Sequence, residues 1–329
     1  MATCFNRRFA LVAGTALVLG TSFVTAVQAA DWPAKPVTLI VPWGAGGGTD
    51  ATARMIGTLL EKELGVPVPV VNRTGGSGVV GHSAIASAAP DGYTIGVATL
   101  EIGSMHYQGL TTLTYQSYAP IGIYNSDPAA VFVRVDSPYK TANDLVGAIR
   151  ASATRAFKAS GSAQGGVNHL AMAGMLLASD IPADRVAWVP SEGAAPGLQD
   201  LAAGGVQFAV ASLPEAQALM DAGRIRPVAI FADKRAAAKS DLPTFTEATG
   251  KSWSMGSWRG LVAPKGTPPN ILAALQKAVA KVVVNPEYLK FMDSRGYATQ
   301  WNAGDEFVDF MKKSDANVGS TLRAVGITK

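Results

Sequence analysis

The chain of 329 residues is poor in the side chains that most enzyme chemistry uses. It has one cysteine, three histidines and 16% charged residues, where an average globular protein carries roughly 25%. A lone cysteine, Cys4, excludes a disulfide framework and a cysteine-based zinc site. His82, His106 and His169 show no metal-binding spacing such as His-Glu-x-x-His. No Gly-x-Ser-x-Gly elbow is present, since Gly75-x-Ser77 continues into Gly78-Val79. A formal charge of +4 with no basic cluster excludes a nucleic-acid partner. There is no internal repeat, and beyond the first thirty residues no apolar run reaches the roughly 20 residues a spanning helix needs. With 48% hydrophobic residues the chain has ample material for a core, and its length suggests two domains.

The beginning of the chain reads as an export leader. Arg7 and Arg8 form a positive region, residues 9–19 are apolar, and Val27-Gln28-Ala29 is a small-x-small cleavage site. Cleavage after Ala29 places the mature protein in the periplasm and removes Cys4 and two of the positive charges.

What the sequence has in quantity is glycine, 35 in all, and it clusters. Residues 37–42 read as a buried strand, followed by Gly44-Ala45-Gly46-Gly47-Gly48 and a helix to Leu64, with Thr49-Asp50 at its N-cap and Gly65 closing it. A strand at 68–71 leads to Gly75-Gly76-Ser77-Gly78 and a short helix. Pro90-Asp91-Gly92 then turns into a strand over 93–100. This alternation specifies a parallel α/β unit. It recurs with strands at 130–135, 156–159, 186–189, 206–211 and 227–231, and a helix over 141–151 capped by Thr141. Two further glycine loops, 160–166 and 190–196, precede helices. Residues 268–329 read as mainly helical. Strands at 121–124 and 257–263 lie where the chain would cross from one lobe to the other and return. The expected domains are therefore 30–124 with 254–329, and 125–253, joined by two crossovers.

Strand–glycine loop–helix junctions of a parallel sheet share one edge, where ligands of open sheets bind. Four helix N-termini there would offer unpaired N–H groups to an anion such as a carboxylate. A nucleotide does not fit. The loop at Gly46-x-Gly48 lacks the later acidic ribose ligand, since the second strand ends at Val71-Asn72, and Asp50 stands where a phosphate loop needs lysine. No cofactor or metal is expected. Glu101, at the end of the third strand, would repel a simple anion unless it meets a ligand amine or hydroxyl, or pairs with Arg73 or Arg259. Asp50 and Arg54 are spaced for a helical ion pair. Trp43 and Trp258 are candidate cleft aromatics.

These motifs resemble one family. Pro42-Trp43-Gly44-Ala45-Gly46-Gly47-Gly48-Thr49-Asp50 is similar to the first loop of the Bug receptors, periplasmic solute-binding proteins of tripartite tricarboxylate transporters. Val71-Asn72-Arg73-Thr74-Gly75-Gly76-Ser77-Gly78, Pro90-Asp91-Gly92-Tyr93-Thr94, the loops at 160–170 and 189–196, and Trp258-Arg259-Gly260-Leu261 resemble the family's further signatures in order. The departure is Gly44-Ala45-Gly46, where the family usually has a second proline. The resemblance implies a two-lobed α/β periplasmic binding protein of the Venus-flytrap type. Such a receptor is a monomer without catalysis that passes a small carboxylate to a membrane permease. It implies first-lobe contacts from Trp43, Ala45, Gly47, Gly76 and Ser77, and second-lobe contacts from Ser162, Ala163, His169, Ser191 and Gly193. Two other readings of the residues remain open: a sensor signalling to a membrane kinase, and a periplasmic hydrolase using Ser162 and His169.

Overall fold

A computed structural model describes residues 32–236 and 239–329 of the chain. The leader, its cleavage point and Cys4 lie outside the described residues.

The first strand, β1 (Thr38–Val41), lies in parallel between β2 (Val70–Asn72) and β3 (Thr94–Thr99), with Leu39 opposite Val70 and Ile95. Parallel neighbours require crossover connections, supplied here by α1 (Gly48–Leu64) and α2 (Val79–Ala86). Gly65 closes α1 in the left-handed conformation, at φ +69°. The start of α1 differs from the sequence expectation. Its N-cap is Gly47, and Thr49 and Asp50 lie inside the first turn. Asp50 instead reaches back, accepting from the Gly46 amide at 3.0 Å while it pairs with Arg54 at 2.9 Å.

A 17-residue strand, β4 (Tyr118–Arg134), takes up both stretches expected as separate strands. Its first part pairs antiparallel with β9 (Gly256–Pro264) and β10 (Thr299–Ala303). Its last part pairs antiparallel with β7 (Phe208–Ser212) and β8 (Ile225–Ile230). The register with β9 slips between Pro120 and Gly122 and again between Ile123 and Asn125. Proline, with no N–H to give, favours such irregularities. Beyond β7, β5 (Phe157–Ser160) and β6 (Val186–Trp188) complete the sheet in parallel, giving the order β2-β1-β3-β9-β4-β7-β5-β6.

Alternation of side chains explains the apolar runs. Leu39 and Val41 face one core together with Ile56 and Leu60, while Ile40 faces another. In the second half Val131 and Val133 pack on one face of β4, and Ala130 and Phe132 on the other. A strand buried on both faces has no polar side to show in its sequence. The first half is covered by α8 (Pro269–Val283) and α9 (Pro286–Arg295) on one face and by α10 (Gly304–Ala324) on the other. Gly260 in β9 makes the α10 contact possible, because a Cβ there would lie 2.2 Å from the Phe307 ring.

The second half carries α3 (Ala142–Ala151), α4 (Val167–Ala178), α5 (Ala194–Ala203), α6 (Leu213–Asp221) and α7 (Phe245–Thr249). Thr141 caps α3 as expected, in a reciprocal capping box with Asp144. Neither α6 nor β10 is foreseen in the sequence, and α6 brings the carboxylate of Glu215 to the cavity between the halves.

Candidate functional site

Between the two halves lies a cavity with about 530 Å³ of empty space, part of it open to solvent. Three helices begin at its wall. From the first half comes α1, whose Gly47 cap offers no side-chain hydrogen bond. From the second come α4, starting at Val167, and α5, starting at Ala194 after Gly193. The first amides of a helix have no acceptor within it. At α5 the first turn contains no acidic residue, and Pro196 removes an N–H that would otherwise point outward unpaired. Trp43 and Trp258 supply apolar wall, 9% and 4% exposed.

The third terminus, at α4, is already occupied by the protein. Glu101, 3% exposed, accepts from the Val167 amide at 3.1 Å across the cavity. Its other oxygen accepts from Thr99 Oγ1 at 2.5 Å, and that hydroxyl accepts from Trp43 Nε1 at 3.2 Å. Neither Arg73 nor Arg259 reaches Glu101; among the described residues it forms no ion pair.

Arg259 on β9 is held elsewhere. Fully buried, it donates from Nε to Thr49 Oγ1 at 3.0 Å and from Nη2 to Glu215 Oε1 at 2.9 Å. Its Nη1 donates to Asn125 Oδ1 and, at 2.8 Å, to Asp127 Oδ2. Burial alone would lower the guanidinium pKa, but the charges of Glu215 and Asp127 outweigh it and hold the group above its ordinary value. Burial pushes Asp127 upward, and Arg259 opposes that shift. Glu215 stands at the third position of α6 and also accepts from the Ser212 amide and hydroxyl. Gly48 is required where these groups meet, because a Cβ there would lie 2.6 Å from Arg259 Nη2 and 2.9 Å from Glu215 Oε1.

The residues singled out in the sequence fall into separate places. Trp43, Gly47, Glu101, Ser162 and Gly193 line the cavity. Gly76, Ser77, Ala163 and Ser191 line a neighbouring pocket that shares Trp43 as its wall. The second glycine loop therefore opens there, and three helix termini rather than four meet at the main cavity. Ala45 is exposed and lines neither. His169 lies behind the α4 loop, accepting from the Gly165 amide at 2.9 Å with its ring 4.9 Å from that of Trp188. Ser162 Oγ turns to the Ala163 carbonyl, so the two members of the hydrolase reading make no hydrogen bond to each other. Glu215 and Asn168 line the cavity without having been foreseen. The Ser212-x-x-Glu215 spacing, a capping box, was the available signal for the first.

Burial holds two histidines uncharged, lowering His82 to about 3 and His169 to about 4. In the unfolded chain both titrate near 6.5. The unfolded state therefore takes up protons first as pH falls, and stability drops below about 6.5. We expect Tm to be level between pH 8 and 7 and to fall steadily from 6.5 to 5, less steeply in His169→Gln. A Tm that stays level across that lower window contradicts this assignment.

Residues 52–327 match the family described as tripartite tricarboxylate transporter family receptor. A UPF0065 protein of Agrobacterium vitis is 31% identical over 88% of this chain and 83% of its own. The periplasmic binding protein BugD is 25% identical, covers 91% of this chain and all of its own, and superposes with a TM-score of 0.84. An R. palustris protein solved with adipate is 30% identical, covers 91% of this chain and 99% of its own, and gives a TM-score of 0.83.

Proposed function

The chain belongs to the tripartite tricarboxylate transporter receptor family, and from that premise we propose that it captures a small carboxylate between two lobes and hands it to the membrane permease of such a transporter. The observation that carries this reading is the pair of helix N-termini, α1 from one lobe and α5 from the other, that meet at one cavity without a side-chain cap. A carboxylate between them would accept amide N–H bonds from both lobes and so favour closure.

Each helix dipole contributes up to about 2 kcal/mol when partly buried. Micromolar affinity requires about 8 kcal/mol. Amide hydrogen bonds, bridging waters and contact with Trp43 and Trp258 must supply the remainder. The adipate bound in the R. palustris neighbour supports a carboxylate as the ligand class.

In this reading the lobes are residues 30–124 with 254–329, and 125–253, and the receptor is a monomer. The hinge lies where β4 passes Ser126–Asp127–Pro128 beside Gly256 and Ser257. The receptor works in the periplasm after cleavage near Ala29. Contacts that hold the cleft shut include Gly44 N to Glu192 O at 3.2 Å, Val167 N to Glu101, and Arg259 to Glu215.

A thermal-shift screen of the leaderless chain against mono-, di-, tri- and amino-carboxylates tests the reading. Saturating ligand at a hundred times Kd adds about 2.7 kcal/mol to stability, so at least one class is expected to raise Tm by several degrees. No shift with any acid at millimolar concentration contradicts the proposal.

A further inference from the structure

We infer that the ligand of this cavity carries an ammonium group as well as its carboxylate, and that Glu101 is the residue that selects it; the inference rests on the carboxylate reading above.

The charged side chains that line the cavity are Glu101, Glu192, Glu215 and Arg259, three acids against one base. Arg259 is not free to offset them all. Four of its five N–H donors are engaged by Thr49, Asn125, Asp127 and Glu215, and two of those partners are carboxylates. Glu215 is likewise committed, to Arg259 and to the start of α6. Glu192 is exposed at the rim.

Glu101 is different. It is buried and lines the cavity, yet both of its partners are neutral, an amide and a hydroxyl. Each of its oxygens keeps a further acceptor site. Buried carboxylates are normally matched by a full cation; here the α4 terminus opposes Glu101 with only about half a unit of charge, and no side-chain cation among the described residues reaches it. A cation borne by the ligand would supply the missing partner. A second carboxylate in the same place would meet Glu101 with a like charge in a water-poor site, where repulsion is least screened. The α4 terminus, which could otherwise have received that second carboxylate, is already filled by Glu101 itself.

Glu101 therefore both removes one anion site and creates one cation site. A diacid fits such a cavity poorly. An amino monocarboxylate, with its carboxylate toward α1 and α5 and its ammonium toward Glu101, satisfies every group named. This separates the chain from its adipate-bound neighbour in ligand class.

Calorimetric titration of the leaderless chain with short amino monocarboxylates, and with the diacids and plain monoacids of matching length, tests this. At least one amino acid, α- or ω-substituted, is expected to bind tenfold or more tightly than its diacid and monoacid counterparts. Glu101→Gln keeps an acceptor for the Val167 amide but loses the charge; it is expected to abolish that preference. The wild-type series is decisive even if the variant does not fold. Diacids that bind as tightly as amino acids, or a preference that survives Glu101→Gln, overturn the inference and leave the carboxylate reading standing. Failure of every acid to bind overturns both.

Discussion

Arg259→Met is expected to destabilise the protein by about 3–5 kcal/mol, the range for breaking a buried ion pair by removing one partner. Arg259 is 1% exposed, and its guanidinium is the shared partner of Asp127 and Glu215. Asp127 lies on β4 close to where that strand passes from one half of the sheet to the other. Glu215 lies on α6 in the second half, and Thr49 on α1 in the first. Methionine fills much of the volume but leaves two carboxylates buried without their cation. Arg259→Lys restores the charge without the planar fork that reaches four partners at once, and should recover only part of the loss. Urea unfolding at neutral pH measures both variants. A loss below 1 kcal/mol for Arg259→Met would show that the network is solvated and does not tie the halves together.

Ala195→Asp is expected to weaken carboxylate binding a hundredfold or more while leaving stability unchanged or slightly raised. The second position of α5 is partly exposed and faces the cavity. An aspartate there places a negative charge on the uncapped helix terminus that the ligand would use, much as Glu101 does at α4. The dipole interaction favours the folded variant by about 0.3–1 kcal/mol. A like charge at the binding position costs a ligand several kcal/mol. A variant with lower stability as well as lower affinity would indicate a folding defect. Unchanged affinity would remove α5 from the site.

Much of this is legible in the sequence. Thr38–Val41, the loop at Gly44–Gly48 and the Gly65 stop follow from local chemistry: a short apolar run, residues tolerant of tight turns, and a left-handed cap. The fold class follows from the order of such units along the chain, and the family from the resemblance of the loop motifs themselves. What stayed hidden depends on contacts between distant segments. The meeting of Arg259, Asp127 and Glu215 joins residues from β9, β4 and α6, and no local pattern specifies that three-way contact. Of the two alternatives for Glu101, pairing with an arginine fails for the same reason, since Arg259 is claimed by groups remote in sequence. The second glycine loop is similar in composition to the others, but it lines a neighbouring pocket that has Trp43 and Glu192 in common with the main cavity.

The central claim is that backbone amides at two opposed helix termini hold a carboxylate. It is tested most directly by titrating the leaderless chain with a carboxylate it binds and with the corresponding carboxamide, which keeps size and shape but loses the charge. The account predicts one site per chain for the carboxylate and at least tenfold weaker binding of the carboxamide. Equal affinity for the two would contradict it.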